Sequence, residues 1–97
     1  MHTKSIYKIP DGKLLKVDLV YDISADGQKM IASIKLHGDF FAHPENAIED
    51  IEKILRGLPL EEKKITQQIQ DYLDDSHATL YGLAPASIAR GIMMGLE

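Results

Sequence analysis

The feature that most constrains this chain is a change of hydrophobic period around Gly38. Before it, Leu15, Val17, Leu19 and Tyr21 alternate with Lys16, Asp18 and Asp22. Met30, Ala32, Ile34 and Leu36 then alternate with Ser33, Lys35 and His37. Alternation of this kind puts one side of a strand in a core and leaves the other to water. A first strand is expected over 3–9, closed by Pro10-Asp11-Gly12, in which proline and glycine take turn-forming roles. The second and third are expected over 14–22 and 29–37, joined by Ser24-Ala25-Asp26-Gly27. Tight turns between all three give an antiparallel meander.

Beyond Gly38 the period becomes helical. Pro44 is expected to open a helix, since its missing N–H costs nothing at that position, and Glu45 complements the helix dipole. Ile48, Ile51, Leu55 and Leu58 form its apolar stripe and Gly57 ends it. A second helix is expected over 61–75, with Ile65, Ile69, Tyr72 and Leu73 on one face. A third begins at Pro85 and presents Ile88, Ala89, Ile92 and Met93. Between them, 76–83 is a connection with extended character at Ala78-Thr79-Leu80-Tyr81. The expected fold is an α+β two-layer sandwich: a three-stranded antiparallel sheet from the first 40 residues, covered on one face by helices near 45–57, 61–75 and 85–95.

A chain of 97 residues fits a single domain, 1–97, with a thin core. The lack of cysteine excludes disulfides and thiolate metal sites and fits a reducing compartment. Met1-His2-Thr3-Lys4-Ser5 leads into no apolar stretch of the signal-peptide type, and no run is long enough to cross a bilayer. The expectation is a cytoplasmic protein that does not enter membranes. The net charge of -4 is unevenly spread. Residues 1–16 carry four lysines and one acid, whereas 39–75 carry ten acids against four bases. An acidic chain without an arginine cluster is a poor nucleic-acid binder, because phosphate neutralisation drives such binding. The lysines 4, 8, 13 and 16 have two readings: solvated strand edges, or a contact with one phosphate-bearing ligand or an acidic patch on a partner.

Phe40 and Phe41 are the two phenylalanines of the chain, and they are adjacent. In an extended or turning segment neighbouring side chains point in opposite directions, so at most one enters the same core. The other is left for solvent or a partner, which makes the corner a candidate contact site. Plain plugging of a sheet–helix junction is the competing explanation, and residue types alone favour it. His37-x-Asp39-x3-His43 has the residue types of a metal site, but His43 or Asp39 as a helix-start acceptor is more economical, and no metal site is expected. Asp74-Asp75-Ser76-His77 reads as a polar helix end, since no nucleophile elbow accompanies it. Asp11-Gly12-Lys13 lacks the spacing of a phosphate loop. These residues by themselves assemble no active site.

The ordered set of pieces resembles a known family. Lys8-Ile9-Pro10-Asp11-Gly12-Lys13-Leu14-Leu15, then Gly38-Asp39-Phe40-Phe41 with Pro44, then Leu55-Arg56-Gly57, is similar to the C-terminal accessory domain of lipoate–protein ligases. The resemblance runs from about residue 4 to about residue 89, with Asp11-Gly12 where the family often has two glycines. It implies a separate small subunit of a bipartite ligase, non-catalytic and binding no cofactor alone. The assembled ligase would use lipoate, ATP and Mg²⁺ to adenylate lipoate and then lipoylate carrier domains. The implied partner is the catalytic subunit, in a heterodimer, and lipoyl carrier domains are met indirectly. The motifs of the family's large domain, a glycine-rich nucleotide segment and a catalytic lysine, have no counterpart here. Lys13, Asp39, Phe40 and Phe41 are the candidates for contact with the partner or for covering the adenylate. They lie at the two ends of an antiparallel hairpin pair and need not adjoin each other. The competing functions are a stand-alone protein-binding module and a homo-oligomer pairing through a strand edge.

Overall fold

Strand β2 (Leu14–Ile23) is the spine of the molecule, flanked on one side by β1 (His2–Lys8) and on the other by β3 (Lys29–Gly38). Both pairings are antiparallel, so the three strands form the expected meander. The computed structural model describes residues 1–10 and 12–96, so Asp11 of the first expected turn lies outside the described residues. The second turn closes as its composition implies, with Gly27 N–H donating to the Ser24 carbonyl at 2.9 Å. Leu15, Val17, Leu19 and Tyr21 all point into the core.

On β3 the sequence pattern holds for Ile34 and Leu36 but not for the start of the strand. Ile31 is buried there, Ala32 is exposed and Met30 is only partly covered. The cause is a register shift: Val20 lies opposite Ser33 and Tyr21 opposite Ile31, leaving Ala32 as an extra residue on β3. Such a bulge reverses which side chains face inward beyond it. The shifted end is fixed by the chain after the first helix. Ile31 N–H donates to the Leu58 carbonyl at 2.8 Å, and Gly57 N–H donates to the Ile31 carbonyl at 2.7 Å.

Helices α1 (Ala47–Leu55), α2 (Glu62–Ser76) and α3 (Pro85–Met94) supply the second layer. Helix α1 lies against β3 and α3 against β1 and β2, while α2 packs on both helices. Ile51, Leu55, Ile65, Ile69, Ile88 and Ile92 are fully buried, each burial contributing about 1.5–3 kcal/mol relative to exposure. The fold is α+β, with the three-stranded sheet covered on one side. Glu52 is the buried carboxylate of this layer. It accepts the Leu36 N–H at 2.7 Å and lies 3.8 Å from Lys35 Nζ, which closes part of the free edge of β3.

The first helix starts later than Pro44. Residues Phe41–His43 form a short strand, β4, that pairs antiparallel with β5 (Thr79–Tyr81) as a second, two-stranded sheet. Pairing through His43 keeps the chain extended there, and the residue before a proline is disfavoured in helical geometry. The helix therefore begins after a turn in which Ala47 N–H donates to the Pro44 carbonyl at 3.0 Å. Neither His43 nor Asp39 caps it: the N-cap position is Asn46, without a side-chain capping bond.

Candidate functional site

The β4–β5 ribbon turns the Phe40-Phe41 corner into a defined surface. Phe41 lies directly across from Tyr81, and their rings stack with centroids 5.0 Å apart at 26°. Cross-strand neighbours on one face approach closely enough for such stacking. Phe41 is 64% exposed and Tyr81 46% exposed, so the pair stands clear of the core. Phe40, one residue back, turns the other way and packs against the core while only partly buried. The opposed directions expected of adjacent side chains are thus realised, and Phe41 is the outward one.

Gly82 ties this ribbon to the sheet. Its φ of +92° suits glycine, and its carbonyl accepts the Lys13 N–H at 3.3 Å. A Cβ at that position would meet Lys13 Cγ at 2.5 Å and Phe40 Cβ at 3.6 Å. Lys13 and Phe40 therefore flank the same glycine. The sequence left open whether Lys13 and the Phe40-Phe41 pair adjoin; the fold brings them together, since Leu15 pairs with Gly38 and both segments arrive at one end of the sheet. Gly38 permits the approach, because a side chain there would run into the Leu14 carbonyl oxygen and, at 2.8 Å, into the Phe40 ring. Asp39 is exposed beside it, its backbone N–H donating to the Leu14 carbonyl at 3.4 Å.

Lys13, Asp39, Phe40 and Phe41 are thus brought into one corner, with Tyr81 and Gly82 added by the fold. Sequence reasoning missed Tyr81. The available signal was the extended Thr79-Leu80-Tyr81 ahead of a glycine, but three residues do not reveal a strand partner. An exposed aromatic pair beside a lysine has recognition chemistry: a rigid apolar surface with a cation at its margin. Among the described residues no three His, Cys, Asp or Glu side chains gather to hold a metal. His37 lies on the outer side of β3, opposite Lys16, and His43 sits in β4. Asp74-Asp75-Ser76-His77 ends α2. There Ser76 Oγ donates to the Tyr72 carbonyl at 2.7 Å, and His77 takes the left-handed conformation at φ 59°.

Among the described residues no helix is long and apolar enough to cross a membrane. A comparison with curated proteins returned no match. Among solved structures, the chain is similar to a chain from an archaeal lipoylation system of Thermoplasma acidophilum, described as a bi-partite lipoate protein ligase and its E2 lipoyl domain. The likeness has a TM-score of 0.75 at 29% identity and covers 95% of this chain and 94% of that one. The family described as bacterial lipoate protein ligase C-terminus matches residues 16–84, which take in most of β2, all of β3, the corner without Lys13, and the β4–β5 ribbon. With most of its length matched, this chain belongs to the lipoate protein ligase C-terminus family.

Proposed function

We propose that this chain is the accessory subunit of a bipartite lipoate–protein ligase. It docks on a separate catalytic subunit and enables ATP-dependent adenylation of lipoate, and so the lipoylation of carrier domains. The observation that carries this reading is the likeness, nearly end to end on both sides, to a chain of a bi-partite ligase system. The sequence supports it from another direction, since it holds no nucleotide-binding motif. Lipoate, ATP and Mg²⁺ are then handled by the assembled enzyme, and this chain contributes cover and positioning. Closing a site over an acyl-adenylate excludes water and protects the intermediate from hydrolysis.

In this reading the corner faces the catalytic chain. Phe41, stacked on Tyr81, fills an apolar recess of the partner. Lys13 meets an anion, and Asp39 holds the turn between β3 and β4. The test is lipoyl-adenylate formation, followed by pyrophosphate release, with the catalytic chain alone, this chain alone and the two mixed. The mixture should be active and this chain alone inactive. A catalytic chain that adenylates lipoate equally well without this protein would sink the reading. Self-association of this chain without any ligase-type partner would favour a homo-oligomeric interaction domain.

A further inference from the structure

All three helices cover one side of the sheet, and among the described residues nothing covers the other. That bare side presents Lys4, Ile6 and Lys8 from β1, Lys16, Asp18 and Asp22 from β2, and His37 and Lys35 from β3, the Lys35 Nζ also lying 3.8 Å from Glu52. The register puts Ile6 opposite Lys16, and Lys16 opposite His37, so an isoleucine that is 62% exposed sits among cations. A shallow depression of about 390 Å³ lies there, lined in part by Lys4, Ile6, Lys16 and His37. Asp18 also lines it, on the central strand between Lys4 and Lys35, 3.9 Å from Lys4 Nζ and 3.8 Å from His2 Nε2. Such exposed, long contacts neutralise little. Lysines on β1 have an ordinary explanation, because charge on an edge strand discourages unwanted strand pairing. That explanation does not reach Lys16, which is on the central strand.

We propose that this bare basic face is the main docking surface for the catalytic chain, which meets it with an acidic patch surrounding an apolar recess for Ile6. The proposal rests on the accessory-subunit reading and names the surface that reading requires. Size is the first argument. A stable interface takes about 20–30 residues a side, far more than Lys13, Phe40, Phe41, Tyr81 and Gly82 provide. Continuity is the second: Lys8 pairs with Leu14 and Leu15 with Gly38, so the basic face runs directly into the corner. Charge is the third. The chain carries -4 overall, with its acids concentrated in the helical half, so an acidic partner is turned toward the sheet and away from the helices. Two copies of this chain facing sheet to sheet would repel.

The test measures association and dissociation rates with the catalytic chain, at about 50 mM and about 300 mM salt, for the parent and for Lys16→Glu, Ile6→Thr and Lys63→Glu. Circular dichroism checks each fold. Lys16→Glu should slow association about tenfold at low salt, the gap narrowing at high salt, as expected for electrostatic steering. Ile6→Thr should chiefly speed dissociation, and Lys63→Glu, on the exposed part of α2, should match the parent. If folded Lys16→Glu and Ile6→Thr both bind as the parent does, the proposal is overturned. It is also overturned if they bind normally but lose only acyl transfer to the carrier domain, since the face would then serve the acceptor. A parent that neither binds nor activates the catalytic chain removes the accessory-subunit reading itself, and this proposal with it.

Discussion

The two sides of the sheet are made from the same strands and do opposite things. The inner side packs Leu15, Val17, Leu19, Ile31, Ile34 and Leu36 under the helices, while the outer side exposes Lys4, Ile6, Lys16 and His37. Successive residues of a strand alternate between faces, so one short stretch can specify a core and a surface together. The difference separates stability from recognition. Substitutions on the inner side should be read out in folding, and those on the outer side and at the corner in binding.

The strongest attempt to break this division is Leu19→Ala. Leu19 is fully buried on the central strand opposite Ile34, and its truncation should destabilise the fold by about 2–5 kcal/mol in urea denaturation. Lys16→Ala, three residues earlier on the other side, should change stability by no more than about 0.5 kcal/mol. Equal effects at the two sites would mean that the bare face is covered in the isolated protein.

Glu52 tests the one buried charged group among the described residues. Glu52→Ala leaves the Leu36 N–H without its acceptor and should lose about 1–3 kcal/mol, whereas Glu52→Gln keeps an acceptor oxygen and should recover most of it. If Gln is as damaging as Ala, the ion pair with Lys35 outweighs the hydrogen bond.

The corner sharpens the comparison from the recognition side. Phe41→Ala should weaken binding to, or activation of, the catalytic chain by about 1–3 kcal/mol while the domain stays folded. Lys13→Ala should weaken activation in a salt-sensitive way if the lysine meets an anion. Folded variants that activate as well as the parent would reduce the corner to a structural junction.

Among the substitutions expected to cost stability, the smallest effect falls at Tyr72, whose hydroxyl donates to Asp50 Oδ2 at 2.9 Å and ties α2 to α1. Tyr72→Phe should lose about 0.5–1.5 kcal/mol. Burial, and then the bond to Asp50, raise the Tyr72 hydroxyl above its ordinary value of 10.0. A raised value means that the folded state holds this proton more tightly than the unfolded one. Its stabilisation is therefore complete below pH 10 and is lost as pH rises through the folded-state value. Denaturation midpoints measured from pH 9 upward should show the parent losing its advantage over Tyr72→Phe.

The meander was legible because Leu15, Val17, Leu19 and Tyr21 declare their phase without ambiguity. The start of β3 was not, because Met30, Ile31 and Ala32 are all apolar and either phase fits them. Gly57 and Leu58, which pair with Ile31, settle the matter from another part of the chain. The candidate residues divide in the same way. Adjacent phenylalanines guarantee that one faces out, but only the ribbon reveals that it is Phe41 and that Tyr81 accompanies it.

By itself, then, the sequence determined the layers and the kind of element in each, since hydrophobic period is a local property that every packing of this chain must satisfy. Tertiary structure decided the bulge at Ala32, the pairing of Phe41–His43 with Thr79–Tyr81, the delayed start of α1, and the meeting of Lys13 with Phe40 at Gly82. Each of those depends on backbone groups distant in the chain finding one another. A three-residue strand carries no period of its own, and its partner is chosen only when the core has brought the two segments together.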